Sequence, residues 1–239
     1  MKLALLISGG GTTMEAIIKA CQSGYLSKVE PVLVISSNSN AGGIEKAKKL
    51  GIKEKDILII NSKDFKNREE FGEEIIKECK KREVEFIGQY GWMVLTPKNI
   101  IKEFEGKIIN QHPGPLDNGR PDFGGAGMFG LRVHQARLEF VKKTDHDFWT
   151  EATTHFVTEE FDKGKIIKRI QVPVLPDDTA ETLQARVLPI EHEVQIEALK
   201  DVSEGKAKEF NREKPLVLPE ELEILKECKE IAIKMYPNG

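Results

Sequence analysis

KLALLISGGGTTMEAIIKACQSG, residues 2–24, decides the fold. Residues 2–8 form a continuous apolar run that stops at glycines, as does a strand buried on both faces in a parallel sheet. The second half spaces Met14, Ile17, Ile18 and Cys21 at helical intervals and closes at Gly24. The alternation then repeats. PVLVISS (31–37) predicts a second strand and GGIEKAKKLG (42–51) its helix. DILII (56–60) predicts a third strand, followed by a charged amphipathic helix, NREEFGEEIIKECKKR (67–82). VEFIGQYG (84–91) and GKIIN (106–110) supply a fourth and a fifth. Such alternation implies right-handed crossovers. The expected fold class is therefore α/β: a Rossmann-like, mostly parallel twisted sheet with helices on both faces.

Beyond the fifth strand the pattern changes. IINQHPGPLDNGRPDFGGAGMFGLRVH (108–134) is rich in glycine and poorly suited to one regular element, and it reads as a strand end carrying Asn110 and His112 followed by a flexible lid. EATTHFVTEEFDKGKIIKRIQVPV (151–174) predicts a strand, a turn around Asp162-Lys163-Gly164, and another strand. Residues 176–205 predict a helix capped at Asp178 or Thr179, with Glu181 following, and Pro219–Lys234 predicts a last one. The expected organisation is a catalytic domain at 1–205 and a C-terminal extension at 206–239. That extension either covers a sheet edge or meets a second subunit of a homodimer.

Composition removes whole classes of function. A formal charge of -3 and a pI near 6.1 leave no broad basic field for nucleic acid. Cys21, Cys79 and Cys228 are widely spaced and lie in helical patterns, which favours buried structural thiols over a disulfide framework or a zinc site. The apolar N-terminal run is too short for a signal peptide or membrane span, so a cytoplasmic location is expected.

Ligands of such sheets bind beyond the carboxyl ends of the strands. Three stretches stand there. Gly9–Thr13 joins the first strand to the first helix, where glycines and unpaired helix N–H groups can hold an anion; a tight turn capped by Thr is the plainer reading. Asn110 and His112, two apart at the end of a strand, share a side of it. A carboxamide and an imidazolium together suit a developing oxyanion, although either alone reads as a turn residue. Asp162 is a hairpin turn former, or a carboxylate that keeps a histidine protonated and relays a proton. His155 reads as a packed strand residue.

In this order, LISGGGTTMEAIIKAC, NREEFGEEI, GWMVLTP, INQHP, THFVTEEFDKGKII and IEHE resemble the motifs of the folate-dependent formyltransferases that act on glycinamide ribonucleotide in purine biosynthesis. The resemblance implies 10-formyltetrahydrofolate as co-substrate, small-molecule partners only, and no metal. It implies Asn110, His112 and Asp162 as catalytic residues, and Gly11, Thr12, Thr13 and Glu191 on the phosphate and ribose. Folate would meet Arg68, Trp92, Met93, Val94, Leu95, Thr158, Glu159 and Glu160. The sequence departs from the family pattern at Gly114–Asp117, at Arg132, at Val94 and at Leu188, and its loop before Gly130 is longer.

Those departures leave other acceptors open: an amino sugar nucleotide, an initiator tRNA, or water in a formyltetrahydrofolate hydrolase. The tRNA enzymes add a basic C-terminal domain and the hydrolase an N-terminal regulatory one, neither of which this sequence suggests. A dinucleotide-dependent oxidoreductase is disfavoured by the lack of GxGxxG and of an acidic residue ending the second strand. A non-catalytic folate-binding relative is the third class.

Overall fold

The computed structural model describes residues 1–239. Strands β1 (Lys2–Ile7), β2 (Glu30–Ser36), β3 (Ile57–Ile59), β4 (Phe86–Gln89) and β5 (Ile108–His112) alternate with helices α1 (Thr12–Gln22), α2 (Gly42–Lys49), α3 (Arg68–Lys81) and α4 (Lys98–Glu103). There follow α5 (Leu131–Thr144), the hairpin β6 (Trp149–Phe156) and β7 (Ile166–Pro173), then α6 (Ala180–Ser203) and α7 (Leu222–Met235). The hydrogen-bonded order is β3-β2-β1-β4-β5-β6-β7. Pairs among β1 to β5 are parallel, whereas β6 and β7 are antiparallel. The α/β expectation is met.

Two compact units divide the chain: Met1–Asn110 with Gln195–Ala207, and Gln111–Val194 with Lys208–Gly239. In the first, Leu3 to Ile7 of β1 are all fully buried. Successive strand side chains point to opposite faces, so both faces of β1 are covered. That is why the run reads as continuous rather than alternating. Asn67 caps α3 by accepting the Glu70 N–H at 2.9 Å, and Phe71, Ile75 and Cys79 turn inward at helical spacing.

In the second unit the predicted cap of α6 is displaced by one partner. The Thr182 N–H donates to Thr179 Oγ1 and the Thr179 N–H to Thr182 Oγ1, at 3.3 and 2.9 Å. Thr182, three residues on from Thr179, closes this capping box. Glu181 instead accepts the Tyr236 hydroxyl at 2.8 Å.

Two expectations for the stretch after β5 are corrected. Helix α5 is not anticipated by the sequence, because Arg132, His134, Gln135 and Arg137 sit on it as buried residues and erase the amphipathic pattern. Arg137 is fully buried, donates to the carbonyls of Trp149 and Asp147, and lies over the rings of Phe123, Phe140 and Trp149. Nor is 113–130 a free lid. Leu116, Asp117, Asp122, Phe123 and Met128 are buried in it. Asp117 accepts from Arg120 and from the Leu216 N–H, Asn118 donates to the Phe210 carbonyl, and Arg212 donates to the Leu116 carbonyl. The C-terminal segment straps this stretch down.

Two of the departures from the family pattern, Asp117 and Arg132, belong to the same arrangement. Asp117 holds Leu216, and Arg132 donates to the carbonyls of Tyr236 and Pro237 at 2.7 and 2.6 Å. Cys79 and Cys228 are buried and Cys21 half-buried, all unbridged, as structural thiols would be.

Candidate active site

In the first unit the strand ends are tied together by Ser8. Its hydroxyl pairs with that of Ser37 at 2.7 Å and accepts the Met93 N–H at 2.9 Å, while its own N–H donates to the Gly91 carbonyl. Sequence reading missed Ser8; its only signal is its place as the first polar residue after a buried strand. Gly9 and Gly10 are exposed and face open space. Gly11 is different: at φ 66° it is left-handed, and a Cβ on it would lie 2.7 Å from Gly43 Cα. The turn therefore needs glycine for shape whatever it binds. Gly11→Ala is expected to cost about 2 kcal/mol or more, from the left-handed backbone and this clash. Urea unfolding checks it; unchanged stability would mean that the two backbones part freely.

Thr12 and Thr13 open α1, their N–H groups among those that no helical carbonyl can accept. Arg68 is exposed at the head of α3. Trp92 is 8% exposed and stacks on Phe71 with ring centroids 6.3 Å apart, so its ring belongs to the core. Met93 beside it is 54% exposed, and Val94 and Leu95 are half-buried. Of the GWMV stretch, only Met93 presents a large free surface.

The second unit holds the titratable cluster. β5 carries His112 to 2% exposure, and Pro113 then ends the strand. Asp162 lies in the β6–β7 connection with φ 56°, a conformation Asp tolerates better than most residues. Its Oδ2 is 3.7 Å from His112 Nδ1 and accepts the Gly125 N–H at 2.9 Å. Its Oδ1 is 3.4 Å from His155 Nε2, and His155 Nδ1 donates to the Phe156 carbonyl at 2.8 Å. His155 is thus no mere packing residue but the third member of the cluster, bridged to His112 through one carboxylate. A strand pattern cannot reveal that.

Burial pushes the Asp162 carboxyl up, but His112, His155 and the Gly125 N–H outweigh it and hold it below the usual carboxylate range. For His112 burial wins: its pKa falls below the ordinary 6.5 despite the pull of Asp162. Its Nδ1 faces the carboxylate. Its Nε2 is buried with no partner, ready to take or give a proton. His134 is buried nearby on α5 and is held to about 4 by burial and by His112. Asn110 lies two residues before His112 on the same strand, in register with Gln89 of β4.

Glu191 on α6 is 4% exposed and accepts from Gln111 Nε2 at 2.8 Å. Burial raises its pKa from the ordinary 4.5 to about 7, against the opposing effect of that hydrogen bond. The sign follows from linkage. Between these values the unfolded chain releases a proton that the folded protein keeps, so stability falls as pH rises through this window. Glu191→Gln is expected to remove that loss, gaining about 3 kcal/mol over wild type at pH 8 and almost nothing at pH 4. Equal melting shifts at the two values would mean that Glu191 ionises freely. Thr158, Glu159 and Glu160 are exposed in the loop before Asp162, with Thr158 Oγ1 donating to the Glu160 carbonyl at 3.0 Å. No three His, Cys, Asp or Glu side chains are grouped to hold a metal ion, and no helix is long and apolar enough to cross a membrane.

Comparison with known proteins gives this geometry a context. The formyl transferase family model matches residues 1–199. The chloroplastic phosphoribosylglycinamide formyltransferase of Arabidopsis thaliana is 32% identical over 208 residues, covering 87% of this chain and 67% of that protein. The phosphoribosylglycinamide formyltransferase of Haemophilus influenzae is 34% identical over 206 residues, covering 86% and 88%. Among solved structures, glycinamide ribonucleotide transformylase 1 from Symbiobacterium toebii superposes with a TM-score of 0.75 at 30% identity, covering 86% of this chain and 88% of that one. The chain thus spans about two thirds of the plant protein and most of the bacterial ones.

Proposed function

The chain belongs to the formyl transferase family, and from that premise we propose that it transfers the formyl group of 10-formyltetrahydrofolate to the amine of glycinamide ribonucleotide. The names of the relatives support the acceptor. The chemistry rests on one observation: His112, buried with an unpartnered Nε2, is backed by an ionised Asp162.

The attacking amine forms a C–N bond to the formyl carbon, and the carbonyl oxygen gains charge. The Asn110 carboxamide donates to that oxygen. His112 Nε2 accepts the proton that the attacking nitrogen sheds, and the resulting imidazolium is stabilised by Asp162 3.7 Å from Nδ1. The charged ring then supports the oxyanion and returns its proton to the folate nitrogen as the old C–N bond breaks. Proton and charge balance without any further reactant. His155 holds the second Asp162 oxygen, so the carboxylate keeps its aim.

Gly11, Thr12 and Thr13 bind the phosphate through helix N–H groups and hydroxyls. Glu191 takes the ribose hydroxyls, which add donors to the one Gln111 supplies. Met93, Val94, Leu95 and the 158–160 loop flank the pterin, with Trp92 acting through its backbone and Arg68 meeting the distal carboxylate of the folate. A cytoplasmic location is part of this reading.

The test follows the absorbance of the deformylated folate released from a 10-formylfolate analogue. Glycinamide ribonucleotide, a 4-amino sugar nucleotide and no acceptor run side by side, with Asn110→Ala as blank. Turnover with glycinamide ribonucleotide alone is expected. Turnover without acceptor would make the protein a hydrolase, and turnover with the sugar nucleotide would replace the acceptor.

A further inference from the structure

Helix α7 lies beyond residues 1–199, which the family model matches, yet it reaches the titratable cluster. Leu225, Cys228 and Ala232 of α7 are buried in one apolar cluster with Phe123, Met128, Val133, Ala136 and Phe140. This packing fixes α7 over the 113–130 stretch and α5. Lys229 lies one turn from Leu225 and so shares its side of the helix. Its Nζ donates to the Gly124 carbonyl at 2.8 Å.

That carbonyl belongs to the peptide whose N–H is Gly125's, the donor that holds Asp162 Oδ2 at 2.9 Å. A peptide unit is rigid, so fixing its oxygen fixes the direction of its N–H. The far side of the turn is also pinned, by Asp122 accepting the Gly124 N–H at 3.0 Å while paired with Lys163 at 3.0 Å. No slack remains beside Asp162, since a Cβ on Gly124 would lie 2.7 Å from Asp162 Cβ.

We propose that Lys229 is a positioning residue for the transfer step: through the Gly124–Gly125 peptide it aims the Asp162 carboxylate at His112, so that the C-terminal helix completes the site. This rests on the formyl-transfer reading above. Burial lowers the Lys229 pKa against the pull of Asp122 and Asp162, so the ammonium is held where its charge is only partly screened by water. A surface anchor would not need that placement.

The experiment compares Lys229→Met, which keeps length and loses the donor, with Lys229→Arg and with Asp162→Asn. Lys229→Met is expected to lower kcat about tenfold with both KM values within about twofold, because a misaimed group costs turnover rather than ground-state binding. Lys229→Arg should recover most of the loss. Independently of activity, exchange of the Gly125 amide proton, followed by NMR in the full-length protein, should quicken about tenfold in the Met variant as the clamp opens. Unchanged kcat and unchanged Gly125 exchange in a folded Met variant would overturn the proposal. Should the Met variant not fold, Lys229→Gln takes its place with the same two readouts. No turnover with glycinamide ribonucleotide in the wild type would sink the reading of the reaction, and an Asp162→Asn variant within about tenfold of wild type would sink the role of Asp162 in it. An inactive Asp162→Asn beside a fully active Lys229→Met would sink only the role of Lys229.

Discussion

Replacing Asp162 with asparagine is expected to lower kcat about a thousandfold while leaving both KM values within about fivefold. The substitution keeps the shape of the side chain, and the Gly125 N–H can still find its oxygen. What disappears is the negative charge 3.7 Å from His112 Nδ1. His112 already resists protonation because burial outweighs Asp162. Without that carboxylate the imidazolium has no buried counter-charge when the attacking amine gives up its proton, and an unpaired buried charge is the most expensive state available. Asn110→Ala removes one oxyanion donor and should cost about 10²–10³ in turnover. Single-turnover measurements with saturating folate separate the chemical step from binding. A fall of less than about tenfold in Asp162→Asn would mean that His112 works without a carboxylate counter-charge.

The largest stability loss is expected at Glu151, which contacts no part of the proposed chemistry. It is fully buried on β6 and pairs with both Arg169 and Arg212. Arg212 in turn donates to the Leu116 carbonyl, so this carboxylate connects the hairpin to the C-terminal segment and the loop after β5. Removing a buried ion partner leaves the other charge stranded; Glu151→Ala strands two, at a cost of about 3–5 kcal/mol. For a chain of this size that corresponds to a fall of about 10 °C in Tm. Urea unfolding gives the free energy directly. Glu151→Leu combined with Arg212→Leu should regain much of it, because the second change removes one stranded charge. A loss below about 1 kcal/mol in Glu151→Ala would mean that both arginines swing out to water.

Both substitutions lie on residues whose importance was unequally visible beforehand. Asp162 carries a motif and could be named from the chain; Glu151 opens EATTHF and looks like the exposed end of a strand. Its burial follows from Arg212, some sixty residues later, and no local pattern encodes a pairing at that distance.

The parallel core of this protein was legible in the sequence itself. Runs such as LALLI and VLVI have no polar face, and an apolar run of that length bounded by glycine is stable only as a strand covered on both sides. Among the helices between them α3 carries its own cap and periodicity, in Asn67 and the spacing Phe71, Ile75, Cys79. These are local signals, within reach of three or four residues. The Asn110–His112 pair was legible for the same reason, since two residues on one strand share a side. Tertiary structure alone decided the rest. It buried Arg132 and Arg137 on α5 by supplying carbonyls and rings from elsewhere in the chain, and it turned a glycine-rich loop into a packed one through Asp117, Arg212 and Lys229. It also brought His155 to Asp162 and, by burying His112, lowered the pKa of its imidazole. A pKa and a buried pairing depend on which groups exclude water and which lie within a few ångströms, and a linear pattern contains neither.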